Sequence, residues 1–222
     1  MNGTSVIGGG TVSNSPDPSW HVVGPCDFNR DGKADILWQN DSGQVAVWLM
    51  DGAGLAGSAV LSPSPDSSWH AKGTGDFDAD GKADDILWQN DNGQAAIWIM
   101  VGTTLSSSAL VGSNPGTSWH VRAAADLNGD RYSDILWQND DGQVTEWLMN
   151  GTTAIATNQV NGNPGPSWQV KGSADLNGDG VSDILLQNNS GQAMGWLMSN
   201  GAGVTSGMIG PNPGSTWHVI AG

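Results

Sequence analysis

Short apolar stretches of four to seven residues recur along the chain, each bounded by Gly, Pro, Asn, Asp or Ser. In the first complete unit they are Trp20–Val23, Ile36–Gln39, Gln44–Met50 and Leu55–Leu61. The third alternates apolar and polar positions after Asp41-Ser42-Gly43, which is a hairpin signal. The fourth is weaker and rich in Gly, Ala and Ser. The turn Ser62-Pro63-Ser64-Pro65-Asp66 closes the unit. No stretch carries the 3.6-residue apolar periodicity of a helix. The chain therefore reads as all-β.

The pattern repeats. "SW" occurs at Trp20, Trp69, Trp119 and Trp168 and "TW" at Trp217, with spacings of 49, 50, 49 and 49. Histidine follows at His21, His70, His120 and His218, and Gln169 takes its place once. "DILWQN" spans Asp35–Asn40, Asp85–Asn90 and Asp134–Asn139, with "DILLQN" at Asp183–Asn188. "GQ" followed by "W(L/I)M" ends at Met50, Met100, Met149 and Met198. The spacing of 50 reflects one additional aspartate in the second unit, at Asp84–Asp85. Four short strands in a period of about 49 match a propeller blade, whose repeats run ~40–50 residues. The expected fold is an all-β β-propeller, or a propeller segment, of four-stranded blades. The chain reads as one repeat domain, 1–222. Its parts are a terminal part-blade (1–19), repeats at 20–68, 69–118, 119–167 and 168–216, and the start of a fifth (217–222).

An acidic loop lies between the first and second strands of each unit. Its pattern, D-x-(N/D)-x-D-G-x-x-D, suits a hard cation. Oxygens at positions 1, 3 and 5 converge when the chain coils tightly, position 6 allows the sharp turn, position 7 offers its backbone carbonyl, and position 9 closes the shell. Calcium accepts six to eight such oxygens. The expected ligands in the first loop are Asp27, Asn29, Asp31, Lys33 (carbonyl) and Asp35. In the second they are Asp76, Asp78, Asp80, Lys82 (carbonyl) and Asp84. The third offers Asp126, Asn128, Asp130, Tyr132 (carbonyl) and Asp134, and the fourth Asp175, Asn177, Asp179, Val181 (carbonyl) and Asp183. In the second loop, counting from Asp76 selects Asp84, while counting back from Trp88 selects Asp85. Asp84 is favoured because chelate ring size is stricter than strand register, leaving Asp85 as a bulge at the strand start. Arg131 replaces the position-6 glycine, placing a side chain where positive φ is expected, at a cost of ~1 kcal/mol. An EF-hand would carry glutamate at position 12 on a helix; here that position falls within a strand.

These loops, with "DILWQN" and "GQ…WLM", resemble the FG-GAP/VCBS repeats of integrin-like propellers over almost the whole chain. The resemblance implies a propeller with one calcium loop per blade and the metal roles just named. It also implies adhesion, glycan binding or scaffolding in an extracellular or cell-surface parent, with no single ligand.

Charge sharpens this picture. The chain carries 22 acidic and seven basic residues, for a formal charge of −15, and fourteen of the acids lie in the four loops. Up to four Ca²⁺ would bring the charge to −7. The shortage of basic residues argues against nucleic acid and anionic membranes, and no stretch approaches the ~18 apolar residues of a spanning helix. Cys26 is the sole cysteine, so no intrachain disulfide forms. No secretory signal is visible.

Trp38, Trp88 and Trp137 share one repeat slot, and Trp48, Trp98, Trp147 and Trp196 another; both read as blade-packing core. The "WH" histidines read as structural or surface groups rather than metal or sugar ligands. Cys26 occupies a small-residue slot shared with Gly75, Ala125 and Ala174 and reads as an inert buried thiol. Glu146 aligns with Val47, Ile97 and Gly195, a slot tolerant enough to suggest partial exposure. No catalytic constellation stands out, and the expectation is a protein that is not an enzyme in its own right. Two functional readings follow: a calcium-stabilised extracellular binding or adhesion propeller for a glycan or protein, and a purely structural module with binding elsewhere in a longer parent. The part-blades predict either a fragment of a longer array or copies that associate into a homo-oligomer.

Overall fold

The computed structural model describes residues 16–219. The expected part-blade strand within 1–15 and the last residues of the fifth repeat, 220–222, lie outside them. Four antiparallel four-stranded sheets form the blades of a β-propeller. Blade 1 contains β1 (Trp20–Cys26), β2 (Asp35–Asn40), β3 (Val45–Asp51) and β4 (Gly54–Val60). Blade 2 contains β5 (Trp69–Gly75), β6 (Asp85–Asn90), β7 (Ala95–Val101) and β8 (Thr104–Val111). Blade 3 contains β9 (Trp119–Ala125), β10 (Asp134–Asn139), β11 (Val144–Asn150) and β12 (Thr153–Gln159). Blade 4 contains β13 (Trp168–Ala174), β14 (Asp183–Asn188), β15 (Ala193–Ser199) and β16 (Ala202–Ile209). Strands within each blade pair in chain order.

The first strand of each blade is innermost: β1 packs on β5, β5 on β9, and β9 on β13. These strands run longer than the apolar pattern predicts, continuing through Gly24-Pro25-Cys26 in blade 1. A β-bulge makes this possible. Val22 pairs with Trp38 and Gly24 with Leu37, leaving Val23 as the extra residue. The same irregularity leaves Lys72, Arg122 and Lys171 as the extra residues of β5, β9 and β13.

The core lies between blades, and the two-residue period of a strand explains why. Leu37 of β2 packs toward blade 2, in one cluster with Ile86, Trp88, Trp98 and Met100. Leu87 of β6 faces the other way, into a cluster with Ile135, Trp137 and Trp147 of blade 3. Leu136 repeats the arrangement against Ile184, Leu186 and Trp196. Blades 2 and 3 are thus covered on both faces, so "DILWQ" and the strand after it read as near-continuous apolar runs. Within blades the tryptophans meet as tilted pairs, with ring centroids 5.0 Å apart for Trp38–Trp48 and 4.8 Å for Trp88–Trp98. Their expected role as blade-packing core is seen directly in blades 2 to 4. The outward faces of blades 1 and 4 are more open: Leu176 is 45% exposed, while its counterparts Phe28, Phe77 and Leu127 are fully buried.

The equivalent glutamines tie neighbouring blades together. Gln39 Nε2 donates to the Trp69 carbonyl at 2.7 Å, and its Oε1 accepts the Ala71 N–H at 2.9 Å. Gln89, Gln138 and Gln187 make the same two bonds to Trp119/Val121, Trp168/Val170 and Trp217/Val219.

Candidate functional site

The acidic loops join the inner strand of each blade to the second strand, on one face of the propeller. Each folds around its position-1 aspartate. Asp27 accepts the N–H groups of Asp31 (3.1 Å) and Gly32 (2.8 Å). Asp76, Asp126 and Asp175 accept the corresponding pairs in loops 2 to 4. The position-3 oxygens of Asn29, Asp78, Asn128 and Asn177 each accept the N–H two residues on. At position 5, Asp31, Asp130 and Asp179 accept the N–H of Lys33, Tyr132 and Val181, all at 2.9 Å. Every polar atom gathered this way is a hard oxygen, the donor chemistry that suits a divalent cation such as calcium.

Two positions in the loop require left-handed backbone. Position 6 has φ of 82°, 87° and 87° at Gly32, Gly81 and Gly180, and Arg131 adopts 79° there, as its place in the repeat predicts. Position 4 was not apparent from the glycine pattern: Arg30 (65°) and Ala79 (59°) hold it in loops 1 and 2, Gly129 and Gly178 in loops 3 and 4.

The position-9 carboxylate ties the loop to the third strand. Asp35 Oδ2 accepts the Phe28 N–H at 2.9 Å and Oδ1 the Met50 N–H at 2.8 Å. Asp134 and Asp183 bond the same way to Leu127/Met149 and Leu176/Met198. In loop 2 this place belongs to Asp85, which accepts from Phe77 and Met100, both at 2.8 Å. The expectation that Asp84 closes the loop is therefore corrected. Asp85 pairs with Gly75 just as Asp35 pairs with Cys26, so strand register decides and the additional residue is taken up in the loop. Asp84 is buried and faces Arg30 of the neighbouring loop at 3.3 Å.

Carboxylate oxygens of Asp76, Asp78 and Asp85 lie within 4.8 Å of one another. Asp80 stands apart from that group: it pairs with Arg30 at 2.7 Å and with Lys82 at 3.2 Å. Lys33 turns its ammonium to Asp51 at 3.0 Å. Burial pushes Asp85 up to about 6 and Asp134 to about 7, against the pull of their backbone donors. Backbone donors hold Asp175 below its ordinary range. Neighbouring loops also interlock: Ser133 N donates to the Asp76 carbonyl at 2.6 Å, and Ser182 N to that of Asp126 at 2.8 Å. Cys26 donates to the Ala83 carbonyl, and burial raises its thiol to about 12, leaving little thiolate.

Sequence patterns did not single out the pockets on the opposite face. A cavity of about 470 Å³ opens between blades 1 and 2, lined among others by Gln39, Asn40, Asp41, Trp69 and His70. One of about 180 Å³ between blades 2 and 3 is lined by the equivalents Gln89, Asn90, Asp91, Trp119 and His120. Histidine–aspartate pairs flank them, with Nε2 to Oδ1 distances of 2.8 Å for His21–Asp41, 2.7 Å for His70–Asp91 and 2.8 Å for His120–Asp140. Blade 4 replaces both partners with amides, Gln169 and Asn189. That paired exchange is the sequence signal through which the dyad could have been found.

Glu146 is fully buried, not partly exposed as its variable slot suggested. Oε1 accepts from Asn158 Nδ2 at 3.0 Å, Oε2 has no partner among the described residues, and burial raises the carboxyl to about 7.

No curated protein matches the chain. The family model for the FG-GAP-like repeat matches residues 27–84 and 126–186, together more than half of the sequence. The match begins at the position-1 aspartates Asp27 and Asp126 and runs through the strands that they anchor, so the chain belongs to the FG-GAP-like repeat family.

Proposed function

We propose that this propeller is a calcium-stabilised, non-catalytic binding module of an extracellular or cell-surface protein, and that it binds glycan in the pockets between blades. The observation that carries the reading is the duplication of one pocket at successive blade junctions. A half-buried indole (Trp69, Trp119) stands beside histidine, carboxylate and amide groups in each. An indole face supports the apolar side of a sugar ring, while the polar groups offer the directional bonds that fix its hydroxyls. Two copies of one site, about one repeat apart, suit a ligand that is itself repetitive, because linked weak sites gain avidity. Calcium would be held by Asp27, Asn29, Asp31 and Asp35 and their counterparts, with Asp85 in loop 2, and would neutralise carboxylates that otherwise repel.

A glycan array probed with calcium-loaded protein tests the binding reading. Hits that weaken in both Trp69→Ala and Trp119→Ala support it. A blank array favours the scaffold reading, in which the interlocked loops only hold blades together. Calcium is tested separately by melting with and without a chelator. Binding only the folded state stabilises by ~2.7 kcal/mol per site at a hundredfold excess over Kd. An unchanged melting temperature in verified metal-free protein overturns the calcium assignment.

A further inference from the structure

Four of the seven basic residues, Arg30, Lys33, Lys82 and Arg131, lie in the acidic loops. The other three, Lys72, Arg122 and Lys171, take the same place in three successive inner strands, the residue added by the bulge. A bulge re-aims the side chain that it carries. Here it delivers all three cations to one central cavity of about 280 Å³. Among the described residues no acidic residue lines that cavity, whereas the hydroxyl residues Thr74 and Ser173 do.

These cations are poorly matched within the protein. Among the described residues, Lys72 and Arg122 form no ion pair or side-chain hydrogen bond, and Lys171 Nζ donates only to the neutral Gln169 Oε1 at 3.1 Å. The carboxylates that act on Lys72 and Arg122 from a distance, Asp91 and Asp140, are bonded to His70 and His120. Both cations reach solvent, yet the cavity walls lower the proton affinity of each, and Arg122 lowers that of Lys72 further. Gathering like charges in a concavity is unfavourable unless an anion relieves it. A chain with net charge −15 has ample carboxylates with which to pair them, and none is placed there.

We propose that the central cavity is an oxyanion site that takes a sulfate or phosphate group of a ligand, held by Lys72, Arg122 and Lys171. A tetrahedral dianion offers an oxygen edge to the planar guanidinium fork and further oxygens to two ammonium groups. The hydroxyls of Thr74 and Ser173 add neutral donors on the same wall. Blade 1 carries Val23 at the bulge, so the ring of cations is open on that side.

The site does not depend on the glycan reading, and a probe without sugar tests it. Metal-free protein, with folding verified by circular dichroism, is titrated calorimetrically with sodium sulfate and with inorganic phosphate, each against chloride at matched ionic strength. Saturable binding absent with chloride is expected. Arg122→Met and Lys72→Met each weaken it about tenfold, the scale of one charge-assisted bond, and Val23→Lys, which closes the ring, tightens it. Preference for sulfate identifies a sulfated ligand and preference for phosphate a phosphorylated one. Heats no different from chloride, or affinity unchanged in Arg122→Met and Lys72→Met with folding verified by circular dichroism, overturn the proposal.

Discussion

Blades 2 and 3 stand side by side, share the segment DILWQN and pair their strands identically, yet each carries one break in the repeat. Blade 2 has an inserted residue and accommodates it. The strand keeps its register through Asp85, and the additional Asp84 goes into the loop, where Arg30 of blade 1 meets it. Blade 3 has a carboxylate in an apolar slot, and the accommodation is incomplete. Asn158, standing where blades 1 and 2 have Ala59 and Ala109, satisfies one oxygen of Glu146 and leaves the other without a partner. A loop can lengthen and recruit a counter-charge from across a junction. A packed face between blades has neither room nor mobile cations, so a misplaced charge there stays costly.

The largest effects belong to the position-9 carboxylates. Asp85→Ala and Asp134→Ala should each cost about 3 kcal/mol or more in chemical denaturation, since each strips two buried N–H groups of a charged acceptor. Asp84→Ala should cost less than about 1 kcal/mol, because its partner Arg30 keeps Asp80. If Asp84→Ala matches Asp85→Ala, the register account of blade 2 is wrong.

Glu146 comes next, with a defined pH dependence. Its folded value of about 7 lies above its ordinary 4.5. Below pH 4.5 both states are protonated and carry no differential cost. Between there and pH 7 the unfolded chain ionises while the folded one resists, so stability falls by about 1.4 kcal/mol per pH unit. Above pH 7 the loss levels off. Glu146→Gln should remove this slope, and Glu146→Ile, the residue of blade 2, should stabilise on the order of 3 kcal/mol at pH 8. Equal gains at pH 4.5 and pH 8 would show that packing, not ionisation, sets the effect.

Backbone changes are smaller. Arg131→Gly in blade 3 and Ala79→Gly in blade 2 should each gain up to about 1 kcal/mol by relieving left-handed strain. Gly129→Ala should lose a similar amount, and thermal melts would rank the three. Arg131→Gly should also tighten calcium at loop 3 in calorimetric titration. The least effect on stability is expected for Lys33→Met, within about 1 kcal/mol for its exposed pair with Asp51.

The four-stranded repeat, strand order and loop position were legible because each rests on local chemistry: a two-residue apolar period, Gly/Pro/Asn turns, and aspartates at fixed spacing. Arg131 at positive φ followed from comparison with Gly32, Gly81 and Gly180. Ring size within the loop favours Asp84, but register prevails, because Ile86 and Trp88 pack on blade 1 and enforce it. The Glu146 slot, holding Val, Ile, Glu and Gly, looks tolerant in sequence, while only the neighbouring blade shows that it is closed. The inner strands outran their apolar pattern because a bulge carries the chain through Gly24-Pro25.

By itself the sequence determined what short-range physics controls: four repeated blades, their strands, and acidic loops with side-chain oxygens at fixed spacing. Tertiary structure alone decided which residues some fifty positions apart would meet. Lys72, Arg122 and Lys171 converge on one cavity, Trp69 stands beside His70 in a pocket that the previous blade completes, and Arg30 reaches across to Asp80. Those meetings depend on the rotation from one blade to the next. That rotation is set by the volumes packed between blades, a quantity that no pattern within a single repeat contains.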